Sequence, residues 1–255
     1  GQLKQKLDEH LTGVMQAAIR TCHLLPAFET DPPQVSYIPE LQKKGSSRFA
    51  WQDIAAEKIR QWRQSTDHEA CFIVNMAGTG CGKTMANAKV MRALSDDSKS
   101  LRFVLALGLR TLTLQTGDEY RDRIGLDSSE LAVLIGSKAV MDLHKSNIQT
   151  EAELTAQSGS ESAQSLLDDD IDYDCDIPDE GLATVLPDQK ARKFLYAPVL
   201  ACTVDHIMSA TETRRGGRYI LPSLRLMSSD LVIDEVDDFT GSDLIAIARI
   251  VHLVG

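Results

Sequence analysis

Aromatic residues make up only 5% of the 255 residues, and the five cysteines (Cys22, Cys71, Cys81, Cys175, Cys202) include no Cys-x-x-C pair. An odd number without that spacing suggests neither a disulfide framework nor a zinc site, and a reducing, cytoplasmic setting is expected. No apolar run approaches the length of a membrane span, so no membrane partner is expected. The opening Gly-Gln-Leu-Lys-Gln-Lys has no apolar core of the kind a secretory signal needs. Histidine never directly precedes aspartate, so ordinary surface or packing roles are expected of His10 and His23. Positive charge is also scarce: 27 Lys and Arg stand against 37 Asp and Glu, for a net charge of −10. Eight of those acids fall in residues 168–180, DDDIDYDCDIPDE, which carry no base; without them the remainder is at −2. The body of the chain is therefore near neutral, and total charge neither excludes nor supports a nucleic-acid groove.

What is present centres on Cys71 to Thr84, CFIVNMAGTGCGKT. Cys71-Phe72-Ile73-Val74 reads as a short strand buried on both faces of a parallel sheet. Gly78, Gly80 and Gly82 then allow main-chain N–H groups to close around an anion at the positive end of a following helix. Thr79 and Cys81 complete the loop, Lys83 would reach the β- and γ-phosphates of a nucleotide, and the Thr84 hydroxyl would ligate Mg²⁺. Ala77 replaces the first glycine of the general phosphate-loop pattern, leaving A-x-x-G-x-G-K-T. Cys81 is either a reactive thiol or a small residue whose amide matters more than its sulfur.

About 150 residues on, Asp230-Leu-Val-Ile-Asp-Glu-Val-Asp237 gives a second strand that ends in acids. Ligands gather at that end of a doubly wound sheet. Asp234 would hold Mg²⁺, Glu235 would orient and deprotonate the attacking water, and Asp237 would couple this stretch to its neighbours. An acidic cluster in a solvated turn is equally common when no phosphate loop precedes it.

Elsewhere the pattern alternates helix and strand. Leu3, Leu7, Leu11, Met15, Ala18, Ile19 and Cys22 recur with helical period, and Pro26 is expected to end that helix. An extended connector to Gly45 should follow, rich in proline. Gln52, beside Phe49 and Trp51, either reads an adenine edge or is incidental to two core anchors. Helices are expected over Asp53–Gln64 and Met85–Leu94, and strands over Leu101–Leu107 and Leu131–Ile135. Arg110, Thr111 and Gln115 either grip a nucleic-acid backbone or belong to an ordinary strand-to-helix loop. Residues from about 137 to 193 turn polar and acidic and read as an insertion; its aspartates miss the calcium-loop spacing because Gly181 falls too late. Ala197–Cys202 resumes the sheet and leads to Thr203 and His206, for which a capping threonine and a packed histidine are the ordinary roles. Arg214, Arg215 and Arg218 cluster with glycines, and Leu244–Val254 reads as a final helix.

In order, FAWQ with Gln52, AGTGCGKT, LRTLTLQ, CTVDH and DEVD resemble the first RecA-like lobe of a superfamily 2 helicase. The wording of FAWQ, AGTGCGKT and CTVDHIM is most similar to the CRISPR-associated helicase-nucleases of type I systems, above all subtype I-F. The resemblance implies an α/β, mainly parallel P-loop lobe over 46–255, preceded by a helix and connector over 1–45. It implies ATP and Mg²⁺ as cofactors, with Lys83, Asp234 and Glu235 in catalysis and Arg110, Thr111, Gln115, Thr203 and His206 on the DNA side. It also implies 3′-to-5′ movement on single-stranded DNA, an RNA-guided effector complex and adaptation proteins as partners, the remaining lobes of one polypeptide, and viral inhibitor proteins as antagonists. The missing His-Asp motif and second lobe make the 255 residues read as a fragment, slow or inactive alone. A different superfamily 2 motor, or a docking module built on the acidic insertion, are the alternatives.

Overall fold

The computed structural model describes residues 6–66, 70–108, 110–134, 181–186, 189–211 and 219–254. The acidic run at 168–180 and Arg214, Arg215 and Arg218 fall outside them. Its centre is a parallel sheet of β1 (Phe103–Leu107), β2 (Leu131–Leu134), β3 (Val199–Thr203) and β4 (Asp230–Ile233), in the order β2-β3-β1-β4. Leu107 aligns with Thr203, and Ala106 with both Cys202 and Ile233. The strand ends that carry Thr203 and Asp234 therefore share one edge.

Every residue of β1, β2 and β3 is buried, which explains their unbroken apolar spelling in place of polar alternation. The period of two still operates beneath it. Phe103, Leu105, Leu107, Val199 and Ala201 enter one core with Ala88, Met91, Tyr120 and Ile124, while Val104, Ala106, Leu200 and Cys202 enter the other with Phe194, Ile207, Leu226 and Ile250. Two cores need helices on both faces, supplied on the first by α4 (Lys83–Leu94) and the turn after α5 (Arg110–Glu119). The second is covered by α6 (Gln189–Tyr196), α7 (Asp205–Met208), α8 (Ile220–Met227) and α9 (Ser242–Val254). The α/β class read from the sequence is the class observed.

Two local expectations are overturned. Pro26 does not end the first helix: α1 runs Leu7–Thr30 with Pro26 inside it. The missing N–H costs about 3 kcal/mol in a helix interior, and packing beyond the proline offsets it. Phe28 is buried against the Tyr196 ring at 5.2 Å and beneath the Arg102 guanidinium at 5.6 Å, in a cluster with Leu182 and Leu195. The second correction concerns Cys71–Val74, which is neither paired nor buried. Phe72 is 77% exposed, Val74 66% and Met76 90%, and residues 70–78 form no strand. A four-residue apolar run becomes a strand only when a neighbour accepts its backbone groups. β4 pairs with β1 along one edge, and among the described residues nothing pairs with its other edge.

The connector before Gly45 is also less extended than its prolines suggest. Val35 makes an antiparallel bridge with Leu101, and α2 (Pro39–Gln42) buries Leu41. Pro39 suits a first helical position, where no N–H is required.

Candidate functional site

The loop from Asn75 to Gly82 holds its shape by short-range bonds. The Asn75 side chain accepts from Ala77 N–H at 3.1 Å and donates to Asn87 Oδ1 at 3.2 Å, while Cys81 N–H donates to the Gly78 carbonyl at 3.2 Å. Gly80 and Gly82 take φ of 75° and 79°, a left-handed region that a side chain disfavours. A Cβ at Gly82 would stand 2.6 Å from Gln52 Nε2, so this position is closed to other residues for steric reasons too. At Gly78 and Gly80 nothing lies within 4 Å of that position, and the loop is open there.

Helix α4 begins at Lys83, and Ala86 N–H donates the first helical bond, to Gly82 O at 3.2 Å. The preceding amides have no intrahelical acceptor and present their dipoles to the loop. On the opposite side β4 ends, and Asp234 N–H donates to Ala106 O at 3.0 Å, which fixes the aspartate at the sheet edge. Lys83 Nζ lies 3.6 Å from Asp234 Oδ1, with both side chains about four-fifths buried. Two groups roughly 150 positions apart in sequence thus meet across one small space.

The residue after Asp234 is held unusually. Glu235 adopts φ 54° and ψ 47°, and its N–H donates to Asp234 Oδ1 at 2.9 Å. A residue with a Cβ visits this region at a cost, and such positions concentrate where function imposes them. Phe239, after the short turn Val236–Asp238, packs its ring 3.1 Å from where a Gly108 Cβ would be. It ties the acidic stretch to the end of β1.

Gln52, buried on α3 (Ala50–Ser65), donates from Nε2 to Gly82 O at 2.9 Å. Sequence reading placed it near the loop without finding its neighbours. Arg48 Nη2 donates to Gly80 O at 3.3 Å, and the Phe49 ring lies 3.2 Å from a Gly82 Cβ position. Tyr120, wholly buried in a π-helical turn (Tyr120–Ile124), sets its hydroxyl 3.4 Å from Thr84 O. Burial first, then Asp234 and Glu119, push that phenol's pKa far up, so it stays a donor. Arg48 and Tyr120 carry no motif signal; only the fold reveals them.

The DNA-side candidates divide. Gln115 is exposed on α5, whereas the side chains of Arg110 and Thr111 fall outside the described residues. Thr203 and His206 are buried, with Thr203 Oγ1 3.0 Å from His206 Nδ1. Burial holds the His206 pKa down at about 4, partly opposed by the Thr203 carbonyl. At neutral pH this imidazole is uncharged; both side chains are buried, and no side-chain cap bond is made at the start of α7.

The residues present fit a magnesium nucleoside triphosphate. An open glycine loop and unbonded helix-start amides suit an anion, Lys83 supplies an ammonium, and Thr84 and Asp234 are the oxygen donors a hard cation takes. Groups of three or more His, Cys, Asp or Glu that would hold a metal by themselves do not occur among the described residues. A cation here would rely on the phosphates for its other ligands. No helix of the described residues is long and apolar enough to cross a membrane.

A parallel sheet whose strand-end aspartate meets the lysine of a glycine loop defines a RecA-like lobe. Residues 47–180 match the family described as type III restriction enzyme, res subunit, and the chain belongs to that family. It is also similar, over its whole length, to two proteins called CRISPR-associated nuclease/helicase Cas3 subtype I-F/YPEST. Identity is 43% with the one from Pseudomonas aeruginosa (strain UCBPP-PA14) and 45% with the one from Pectobacterium atrosepticum (strain SCRI 1043). The chain spans 24% of the length of each of these relatives.

Proposed function

We propose that the chain is the ATP-binding lobe of a CRISPR-associated DNA helicase-nuclease that translocates on single-stranded DNA. The observation that carries this reading is the approach of Lys83 to Asp234 at the mouth of the glycine loop. The whole-length similarity to two Cas3 proteins supplies the CRISPR context.

In this reading Gly78, Thr79, Gly80, Cys81 and Gly82 wrap the phosphates with main-chain amides. Lys83 binds β- and γ-oxygens, and Thr84 and Asp234 hold the cation. Bound MgATP supplies the transferable γ-phosphoryl group and the divalent charge. The Glu235 carboxylate orients a water and takes its proton, aimed by the left-handed turn that Asp234 Oδ1 stabilises. The Lys83–Asp234 contact keeps both charges partnered before nucleotide arrives, and binding exchanges it for phosphate and cation contacts. Gln52, oriented by Gly82 O, reads the adenine edge. Gln115, with Arg110 and Thr111, grips the DNA backbone, and Thr203 and His206 lie on the DNA side with them. An RNA-guided effector complex, adaptation proteins and the other lobes of the polypeptide are the partners, and viral inhibitors the antagonists.

Nucleotide binding and hydrolysis in the complete polypeptide test this. Lys83→Ala should abolish binding of MgATP. Glu235→Gln should bind it normally and hydrolyse it roughly a hundredfold more slowly, as expected when a general base is removed. Stimulation by single-stranded DNA should exceed that by RNA. Normal turnover in both variants would refute the assignment.

A further inference from the structure

The nucleotide site leaves unused an ion pair that is buried on its lysine side and part-exposed on its carboxylate side. Lys89, on α4, is 4% exposed; its Nζ donates to Asp53 Oδ1 at 2.5 Å and to Lys43 O at 2.8 Å. The other Asp53 oxygen accepts Gly45 N–H at 2.7 Å. Asp53 directly follows Gln52 on α3. One side chain therefore reaches the residue just before α4 while its neighbour, about 100° further round α3, holds a lysine seven residues beyond it.

We propose that Asp53 and Lys89 are positioning residues for base selection, setting the rotation and axial register of α3 so that the Gln52 amide faces the base in one orientation. This rests on the reading of Gln52 as the adenine contact. A single bond between α3 and Gly82 would leave α3 free to turn about it, whereas two bonds from side chains about 100° apart around α3 do not. The Gly45 end of the network adds a third constraint. A Cβ at Gly45 would stand 2.8 Å from Phe49 O, so the Lys43–Gly45 turn lies hard against Phe49, whose ring flanks Gly82.

Gly82 O is the one hydrogen-bond partner of Gln52 among the described residues, which leaves Oε1 and the second N–H for a ligand. With Nε2 held at Gly82 O, Oε1 accepts the exocyclic N–H of adenine. Guanine sets a carbonyl oxygen there, acceptor against acceptor. Buried ion pairs seldom add net stability over apolar replacements, and a role in fixing register is their best attested use.

The test is the ratio of kcat/KM for ATP to that for GTP in the complete polypeptide, under stimulation by single-stranded DNA. Lys89→Met, Asp53→Asn and Gln52→Ala should each lower the ratio about tenfold, the size expected for one hydrogen bond of discrimination. Lys89→Met added to Gln52→Ala should change it no further, and Lys89→Arg should restore it. Asp53→Asn, which keeps the shape but leaves an amide N–H facing one of the two donors, carries the test should Lys89→Met not fold. A wild-type ratio in Lys89→Met or Asp53→Asn, at whatever melting temperature, would overturn the positioning role while sparing the nucleotide site. An unchanged ratio in Gln52→Ala would remove the adenine reading and this proposal with it.

Discussion

Glu235, like Ser98, keeps a side chain on a left-handed backbone, a conformation that runs against its own stability. At φ 54° its Cβ crowds the following carbonyl, a cost of about 1 kcal/mol relative to glycine. Glu235→Gly should raise the unfolding free energy by up to about 1 kcal/mol in a denaturant titration while removing hydrolysis. A loss of stability would show that the conformation is not strained. His206 gives a residue-scale prediction in pH. Its folded pKa of about 4 lies below the ordinary value of 6.5, so the unfolded chain binds its proton first as the medium is acidified. Stability should therefore fall as pH drops from about 6.5 to about 4, with no further contribution from this group below that. Urea midpoints at pH 7.5 and 5 would measure the slope, and His206→Gln should flatten it. An equal slope in both proteins would place the acid sensitivity elsewhere.

At the scale of elements, Pro26 and the 70–76 segment make opposite cases. Pro26 is exposed and interior to α1, so Pro26→Ala should restore a helical bond and raise stability by at least about 1 kcal/mol, read from thermal unfolding. The apolar period before it was legible in the sequence, but the anchor beyond it was not. Phe28 meets Tyr196 and Arg102, partners far along the chain that no local pattern announces. Residues 71–74 spell a strand as clearly as 103–107 do, yet only the second run has hydrogen-bonding neighbours on both sides. Amide exchange should separate them: the 103–107 and 199–203 amides protected for far longer than those of 71–74, whose opening costs nothing. The glycine loop and the DEVD turn were readable because their chemistry sits in residue types at fixed spacing. Arg48, Tyr120 and the Asp53–Lys89 pair were not, since each matters through a tertiary contact.

The whole molecule divides its labour between the two ends of the sheet. The carboxyl edge gathers Lys83, Asp234, Glu235 and Thr203, while the amino edge is held by two buried guanidinium groups. Arg225, with no exposed surface, donates to the carbonyls of Leu195, Ala197, Phe103 and Pro198. Arg102 reaches Ser228, Pro33 and Leu195, and although burial lowers its pKa to about 9 it remains charged at neutral pH. Together they tie the starts of β1 and β3 to α8 and to the connector. Arg225→Met keeps much of the volume but takes a donor from four carbonyls, of which Leu195 and Pro198 keep another, so the cost is about 1–3 kcal/mol for each of the other two, a large share of the 5–15 typical of a domain. The expected result is a melting temperature several degrees lower, with KM for ATP unchanged in the folded protein, because the lost bonds lie at the far edge from the loop. Lys83→Ala should do the reverse, since a partly exposed ion pair contributes little stability while the ammonium dominates phosphate binding. Should Arg225→Met raise KM without lowering the melting temperature, the two ends would be coupled and the division between scaffold and site would fail.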